Sequence, residues 1–103
     1  MRGWYIWGMI RETIIYRGRV QGVGFRQTTA GLARGRAVAG YVKNLPDGRV
    51  RLVAEGEAPA VTDFIDAVQA EMAGHIDDVE SARSVGTGEY GDPGEPGAFR
   101  IAL

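Results

Sequence analysis

The sequence predicts a single α+β domain, and three observations lead to this prediction. Short runs rich in β-branched and aromatic residues recur along the chain. Two segments between these runs have helical character, so the predicted element order is β-α-β-β-α-β with a short final strand. The length of 103 residues suits one domain, which buries roughly 60–65% of its unfolded surface at this size. The predicted architecture is therefore one mostly antiparallel sheet packed against two helices.

The predicted strands share β-branched and aromatic residues bounded by glycine, proline or polar positions. In the first of them, Ile14, Ile15, Tyr16 and Val20 supply this character. A segment rich in glycine and proline, residues 90–97, separates the last two strands. The five strands are predicted over residues 13–20, 37–43, 49–55, 76–85 and 99–103.

The two predicted helices differ in what should hold them together. The first, residues 25–34, contains Thr28, Thr29 and Gly31, each of which disfavours a helix relative to alanine by up to about 1 kcal/mol. Tertiary packing must therefore stabilise it. The second helix has Pro59 in its first turn and an apolar stripe at helical spacing. The stripe, which we interpret as core, consists of Val61, Phe64, Ile65, Val68 and Met72.

This order of elements is that of the split βαβ, or ferredoxin-like, sandwich with both helices on one face of the sheet. We assign residues 13–103 to this domain and treat residues 1–12 as an atypical N-terminal extension. The extension is rich in aromatic residues but is much shorter than the roughly 20 residues that a membrane span needs. It could be a packing arm, a non-native remnant or a mis-assigned start.

Composition excludes several classes of function. The net charge of −1 gives no electrostatic signature for nucleic acid or for an anionic membrane. Because the chain has no cysteine, it has no disulfide framework, thiolate nucleophile or cysteine-ligated metal. The only histidine, His75, follows a predicted helix end and lacks metal-ligand spacing, so a surface or C-terminal capping role is expected. We expect a cytoplasmic monomer that binds neither a metal nor a cofactor.

The most informative segment is GRVQGVGFR, from Gly18 to Arg26. It predicts a strand that leads into a glycine loop, followed by an arginine where a helix begins. Glycines at 22 and 24 permit positive φ and let several backbone N–H groups point at one site, next to a helix N-terminus. Arg26 adds a planar, permanently charged fork that suits phosphate oxygens. An anion-binding loop is one interpretation, and an ordinary strand-to-helix turn with a surface arginine is the other.

A second segment, GYVKNLPDGRV from Gly40 to Val50, predicts a hairpin with a tight turn at Pro46, Asp47 and Gly48. Asn44 lies at the rim of this hairpin. Its amide could bind at a site or could simply close the turn, as asparagine often does.

In this order and at this spacing, the two segments closely resemble the acylphosphatase family. Residues 18–26 match its G-x-V-Q-G-V-G-F-R signature, and residues 40–50 match its G-x-V-x-N-x-x-D-G-x-V signature. The resemblance implies the ferredoxin-like fold and hydrolysis of acyl phosphates to a carboxylate and inorganic phosphate. It also implies that no cofactor is needed and that inorganic phosphate is both product and competitive inhibitor.

The resemblance further implies roles for residues in both segments. Arg26 and the backbone N–H groups of the loop would bind the substrate phosphate, and Asn44 would orient the attacking water. The catalytic residues are thus predicted to be Arg26 and Asn44. The predicted phosphate-binding residues are Gln21, Gly22, Val23, Gly24, Phe25 and Arg26.

Two other classes of function remain alternatives. A non-catalytic, anion-binding regulatory domain of the same fold would retain the loop, but the presence of Asn44 favours catalysis. An RNA-binding domain of this fold would need paired aromatic residues on adjacent strands and a basic face, and the sequence has neither signature. We therefore expect small-molecule acyl phosphates, rather than nucleic acid or membrane, as partners.

Overall fold

The computed structural model describes residues 8–103, so most of the predicted N-terminal extension lies outside the described part. The strands are β1 (Met9–Gly18), β2 (Ala39–Asn44), β3 (Val50–Glu57), β4 (Ile76–Val85) and β5 (Phe99–Ala102). The helices are α1 (Phe25–Ala33) and α2 (Ala58–Glu71), and α2 leads into a 3₁₀ turn at Ala73–His75.

The strands form one sheet in the order β4-β1-β3-β2-β5. All neighbouring pairs are antiparallel except β2 and β5, which are parallel. Both helices pack on the same core, which alternate residues of the strands complete from the sheet side. The largest fully buried core side chains include Tyr16, Phe25, Phe64, Ile14 and Leu52. The predicted α+β, ferredoxin-like sandwich is confirmed.

The helices bury the residues that their sequence patterns indicate. In α2 the predicted stripe is buried from Val61 to Val68, and Met72 is buried just beyond the helix end. In α1 the buried residues are Phe25, Thr29 and Ala33, which are spaced four apart and so lie on one face. Helix α1 thus contacts the core along one narrow face, and the prediction that packing stabilises this helix stays a prediction.

The first strand is longer than the sequence pattern predicted. It begins at Met9 rather than Thr13, so residues 9–12 of the predicted extension belong to the sheet. The pattern missed them because Arg11 is charged, yet Arg11 lies directly opposite Glu55 of β3 and pairs with it. The strand ends at Gly18 rather than Val20, where its register with β4 becomes irregular.

Smaller differences occur at other element ends, while β4 has the predicted bounds. β2 begins two residues later than predicted, and β3 continues to Glu57. His75 ends the 3₁₀ turn, where its backbone N–H donates to the carbonyl of Met72 at 2.9 Å. Within residues 8–103, neither helix has the length and apolar character needed to span a membrane.

Candidate active site

The loop between β1 and α1 depends on two glycines with left-handed backbone geometry. Gly22 has φ of 77° and Gly24 has φ of 80°. A Cβ at either position would meet no heavy atom within 4 Å, so the backbone conformation, rather than crowding, requires glycine there. Together the two glycines turn the chain from β1 into the first turn of α1.

Helix α1 begins without the usual partners for its first backbone N–H groups. Gly24 is the N-cap residue, and neither a side-chain cap nor an acidic residue in the first turn is present. The first helical hydrogen bond runs from the Thr28 N–H to the Gly24 carbonyl at 2.9 Å. The N–H groups of residues 25–27 therefore have no acceptor within the helix. With the partial positive charge of the helix end, they form a site suited to an anion.

The start of α1 and the end of β2 face a shared cleft of about 280 Å³. Arg26 lines this cleft and is half-buried. Across residues 8–103, no side chain forms an ion pair or hydrogen bond with Arg26, so its guanidinium is free to bind an anion. The residues that line the cleft are Val20, Gly22, Gly24, Phe25, Arg26, Gln27 and Asn44.

Asn44 is the last residue of β2 and lines the same cleft. Its side-chain oxygen Oδ1 is buried and has no hydrogen-bond partner in the described part of the chain. The hairpin is closed by other groups, because Leu45 N–H donates to the Arg49 carbonyl at 2.8 Å and Gly48 N–H donates to the Leu45 carbonyl at 3.1 Å. The turn thus leaves the Asn44 acceptor available to a bound molecule.

Asp47 and Arg49 stabilise the turn next to Asn44. Asp47 accepts hydrogen bonds from the backbone N–H of Arg49 at 3.1 Å and from its Nε at 2.6 Å. The backbone hydrogen bond is the main cause of the lowered pKa of the Asp47 carboxyl, which the side-chain bond and the charge of Arg49 reinforce. Asp47 therefore acts within the turn and has no part in the cleft.

Gln21 connects the two segments that the sequence singled out. Its Nε2 donates to the carbonyl of Leu45 at 2.8 Å and to the carbonyl of Arg49 at 2.9 Å. These bonds hold the glycine loop against the hairpin that carries Asn44. The sequence placed Gln21 in the loop, but it contained no signal for this contact, which depends on the packing of distant segments.

The structure brings most of the predicted site residues together. Gly22, Gly24, Phe25, Arg26 and Asn44 all line the cleft. The other two predicted residues, at positions 21 and 23, are not part of the lining: the side chain of residue 21 bonds to the hairpin, and that of residue 23 packs on the core.

Two residues that sequence reasoning did not select also line the cleft, namely Val20 and Gln27. Val20 lies within the first motif, and Gln27 directly follows it. This position in or next to the motif is the only signal that could have indicated them.

A larger groove of about 540 Å³ lies at the other end of α1, between that helix and the segment before β5. It contains none of the predicted site residues. Arg34 and Arg36 border it, and Arg36 forms an ion pair with Asp63 at 2.6 Å. We assign the site to the smaller cleft because the unpaired acceptor and the uncapped helix start meet there.

The site contains no arrangement suited to a metal. Among residues 8–103, no group of three or more histidine, cysteine, aspartate or glutamate side chains could hold a metal ion. The chemical groups that the cleft offers are therefore backbone N–H donors, one guanidinium and amide side chains.

Comparison with protein families matches residues 12–93 to the family described as Acylphosphatase. An acylphosphatase of Anaeromyxobacter dehalogenans is 44% identical over 94 residues, which is 89% of this chain and 94% of the relative. An acylphosphatase of Mycolicibacterium vanbaalenii is 38% identical over 87 residues, or 84% of this chain and 86% of the relative.

Solved structures give the same result. The crystal structure of an acylphosphatase from Bacillus subtilis superposes with a TM-score of 0.75 at 33% sequence identity. The superposition covers 91% of this chain and 99% of that one. The likeness thus extends over nearly the whole of both chains, including both sequence segments that form the cleft.

Proposed function

Because this chain belongs to the acylphosphatase family, we propose that the cleft between the glycine loop and Asn44 is where it hydrolyses its substrate. The chain is an acylphosphatase, a hydrolase that splits acyl phosphates into a carboxylate and inorganic phosphate. The roles of individual residues are our proposal, which rests on the geometry of the cleft.

The phosphate of the substrate binds at the start of α1. The free N–H groups of residues 25–27 and the guanidinium of Arg26 supply donors to its oxygens. The helix fixes the backbone donors before the substrate arrives. They stabilise the negative charge on the equatorial oxygens as the transition state forms.

Asn44 orients the attacking water. Its Oδ1 accepts a hydrogen bond from the water, whose oxygen attacks phosphorus in line with the scissile bond. The bond from phosphorus to the carboxyl oxygen breaks, the carboxylate leaves with the electron pair, and the water proton passes to the phosphate product or to solvent. An amide oxygen is too weak a base to take this proton. The good leaving group makes a strong base unnecessary.

One observation carries this proposal: the buried, unpartnered oxygen of Asn44 lines the same cleft as the unpaired Arg26 and the uncapped helix start. An anion-binding domain without chemistry would need the last two features but not the first. The relatives described above are named acylphosphatases, and this also argues against the non-catalytic alternative.

The experiment measures hydrolysis of benzoyl phosphate by the wild type, Arg26→Ala and Asn44→Ala in the presence of EDTA. We expect Arg26→Ala to lower kcat/KM by at least about 10²–10³-fold, the loss typical of removing one preorganised donor. Asn44→Ala should lower kcat while phosphate still inhibits competitively, because the phosphate donors remain. Arg34→Ala, which removes an exposed arginine at the far end of α1, is the matched control and should retain activity.

Turnover like that of the wild type in Arg26→Ala or Asn44→Ala would contradict the assigned roles. A folded wild type that binds phosphate but does not turn over would contradict catalysis itself. Loss of activity on addition of EDTA would show that a metal takes part.

The proposal includes a monomer located in the cytoplasm. The exposed edge strand β4 carries charges at Asp77, Asp78, Glu80 and Arg83, which discourage pairing with the edge of a second sheet. Light scattering of the purified protein and fractionation of the source cells test these two statements.

A further inference from the structure

Gln27 has an unused amide at the edge of the cleft. It is the third residue of α1 and lines the cleft, while its side chain is exposed. Glutamine at this helix position often reaches back to cap the helix start. Here no side-chain cap forms, and the described residues offer this amide no hydrogen-bond partner. Its donor and its acceptor are thus both available to a bound molecule.

The other polar side chains of the cleft already have roles in the proposed function. Arg26 binds phosphate, and Asn44 orients water. Val20 and Phe25 are apolar, with exposed fractions of 0% and 2%. Gln27 is therefore the one polar side chain of the lining that neither phosphate nor water requires.

The position of Gln27 indicates which part of the substrate it meets. With the phosphate at the first turn of α1, the acyl group that it carries has to occupy the rest of the cleft or its mouth. Since Gln27 is exposed, it lies on the solvent side of the cleft. The cleft volume of about 280 Å³ is close to the lower limit of roughly 300 Å³ for small-molecule pockets, so the cleft suits a small molecule whose acyl group reaches the edge where Gln27 lies.

We propose that Gln27 is a specificity-determining residue whose amide hydrogen-bonds the acyl group of the substrate. The preferred substrates are then small acyl phosphates that carry a nitrogen or oxygen substituent beside the carbonyl. This inference rests on the proposed function, because it takes the phosphate position from it. Acyl groups with only an alkyl substituent leave the exposed amide bonded to water and gain no hydrogen bond from it.

Carbamoyl phosphate and acetyl phosphate make a matched pair of probes. They are similar in size and carry the same phosphate, but an amino group in one replaces a methyl group in the other. The experiment measures kcat/KM for both with the wild type and with Gln27→Met, which keeps the side-chain length and removes the amide. Comparing the ratio between the two enzymes cancels the intrinsic difference in reactivity of the two compounds.

We expect the carbamoyl-to-acetyl ratio to fall on the order of 3- to 10-fold in Gln27→Met, the value of one neutral hydrogen bond. Inhibition by inorganic phosphate should be unchanged, since the phosphate donors are intact. Gln69→Met, the same substitution in α2 and outside the cleft lining, is the control and should keep the wild-type ratio.

A ratio unchanged in Gln27→Met, with both substrates hydrolysed, would overturn this inference alone. A reduction of activity by the same factor for both substrates would also overturn it, because Gln27 would then act on phosphate or water. An inactive wild type would overturn the proposed function and this inference with it.

Discussion

Polar groups at the two ends of the central strands differ in their hydrogen bonding. At the end near the cleft, Arg26 and the Oδ1 of Asn44 have no partner among residues 8–103. At the other end, the buried carboxylate of Glu55 is saturated with hydrogen bonds. It accepts from Arg11 Nε at 2.7 Å and from the backbone N–H groups of Thr87 and Gly88, both at 3.0 Å.

The cluster around Glu55 extends to the segment that follows β4. The guanidinium of Arg11 also pairs with Glu89, and this hydrogen bond is the main cause of the lowered pKa of the Glu89 carboxyl. Arg11 lies 5.1 Å from the ring centre of Tyr90, which meets the ring of Tyr41 at 5.8 Å. These contacts hold the segment after β4 against the sheet.

The comparison shows that one fold uses polar groups for two purposes. A buried charge that is fully paired stabilises a structure only as long as every partner is present. Groups left unpaired at a cleft do not stabilise the fold, and a buried one such as the Asn44 Oδ1 even costs free energy, but they are ready for a ligand. Substitutions at the two ends should therefore separate stability from activity.

The largest effect on stability is expected for Glu55→Gln. It removes the buried partner of Arg11, which then keeps only exposed partners such as Glu89, and it directs an amide toward backbone donors. The free energy of unfolding should fall by about 3 kcal/mol, the lower end for a broken buried pair because Arg11 is partly exposed. Urea denaturation measures the loss. Glu89→Gln, at the exposed partner, should cost much less, because solvent screens that pair. Reduced kcat/KM in folded Glu55→Gln would contradict the separation of the two ends.

Phosphate bound in the cleft should provide partners for the unpaired groups there, as Glu55 already has partners at the other end. Inorganic phosphate at 100 times its dissociation constant should raise the free energy of unfolding of the wild type by about 2.7 kcal/mol. Arg26→Ala should lose most of this increase while it keeps the wild-type stability without phosphate. Thermal unfolding with and without phosphate tests both statements, and a markedly less stable Arg26→Ala would show that Arg26 has a structural partner.

At alkaline pH, the ionisation of Tyr16 should lower the free energy of unfolding by a similar amount. Burial raises its pKa to about 12, although the nearby Gln69 opposes the shift. The folded state then keeps its proton where the unfolded state, with pKa near 10.0, loses it. Stability should decrease as pH rises from 10 to 12, by roughly 2 kcal/mol at the upper limit.

Tyr16→Phe is the test of this pH dependence. The hydroxyl is buried without a hydrogen bond of ordinary geometry, so its removal should cost little at neutral pH. Denaturation curves between pH 9 and 12 should be flatter for the variant than for the wild type. Equal slopes in both proteins would assign the loss to other groups.

The smallest expected effect is on the link between loop and hairpin. Gln21→Met removes both hydrogen bonds of Gln21, but the carbonyls of Leu45 and Arg49 each keep a bond within the turn. We expect a loss of about 1 kcal/mol in unfolding free energy. Because the water-orienting residue then moves relative to the phosphate site, kcat should fall more than the affinity for inorganic phosphate. Equal losses in both would indicate a change confined to the loop.

Local patterns in the sequence predicted most of the fold. The stripe from Val61 to Met72 identified α2, and residues 76–85 gave β4 with its observed bounds, because periodicity and turn residues depend on near neighbours. The early start of β1 could not be predicted in this way. Arg11 lies opposite Glu55 of β3, which pairs with its charge, and such a pairing is not visible in a one-dimensional pattern.

The same distinction holds for the site. The motifs indicated Arg26 and Asn44, and the structure places both at one cleft. The bonds of Gln21 to the hairpin and the free amide of Gln27 depend on the distance between segments, so sequence alone could not reveal them. Their roles, like those of the motif residues, stay predictions until the variants are measured.

The Glu55 cluster also has a consequence for the order of folding. The segments that build the cleft, residues 20–27 and 44–49, are all synthesised before Glu55, whereas the carboxylate of Glu55 needs the backbone N–H of Thr87, 32 residues later, to complete its hydrogen bonds. During synthesis, the end of the sheet that binds substrate is therefore available before the opposite end, where Glu55 has only Arg11 as a partner.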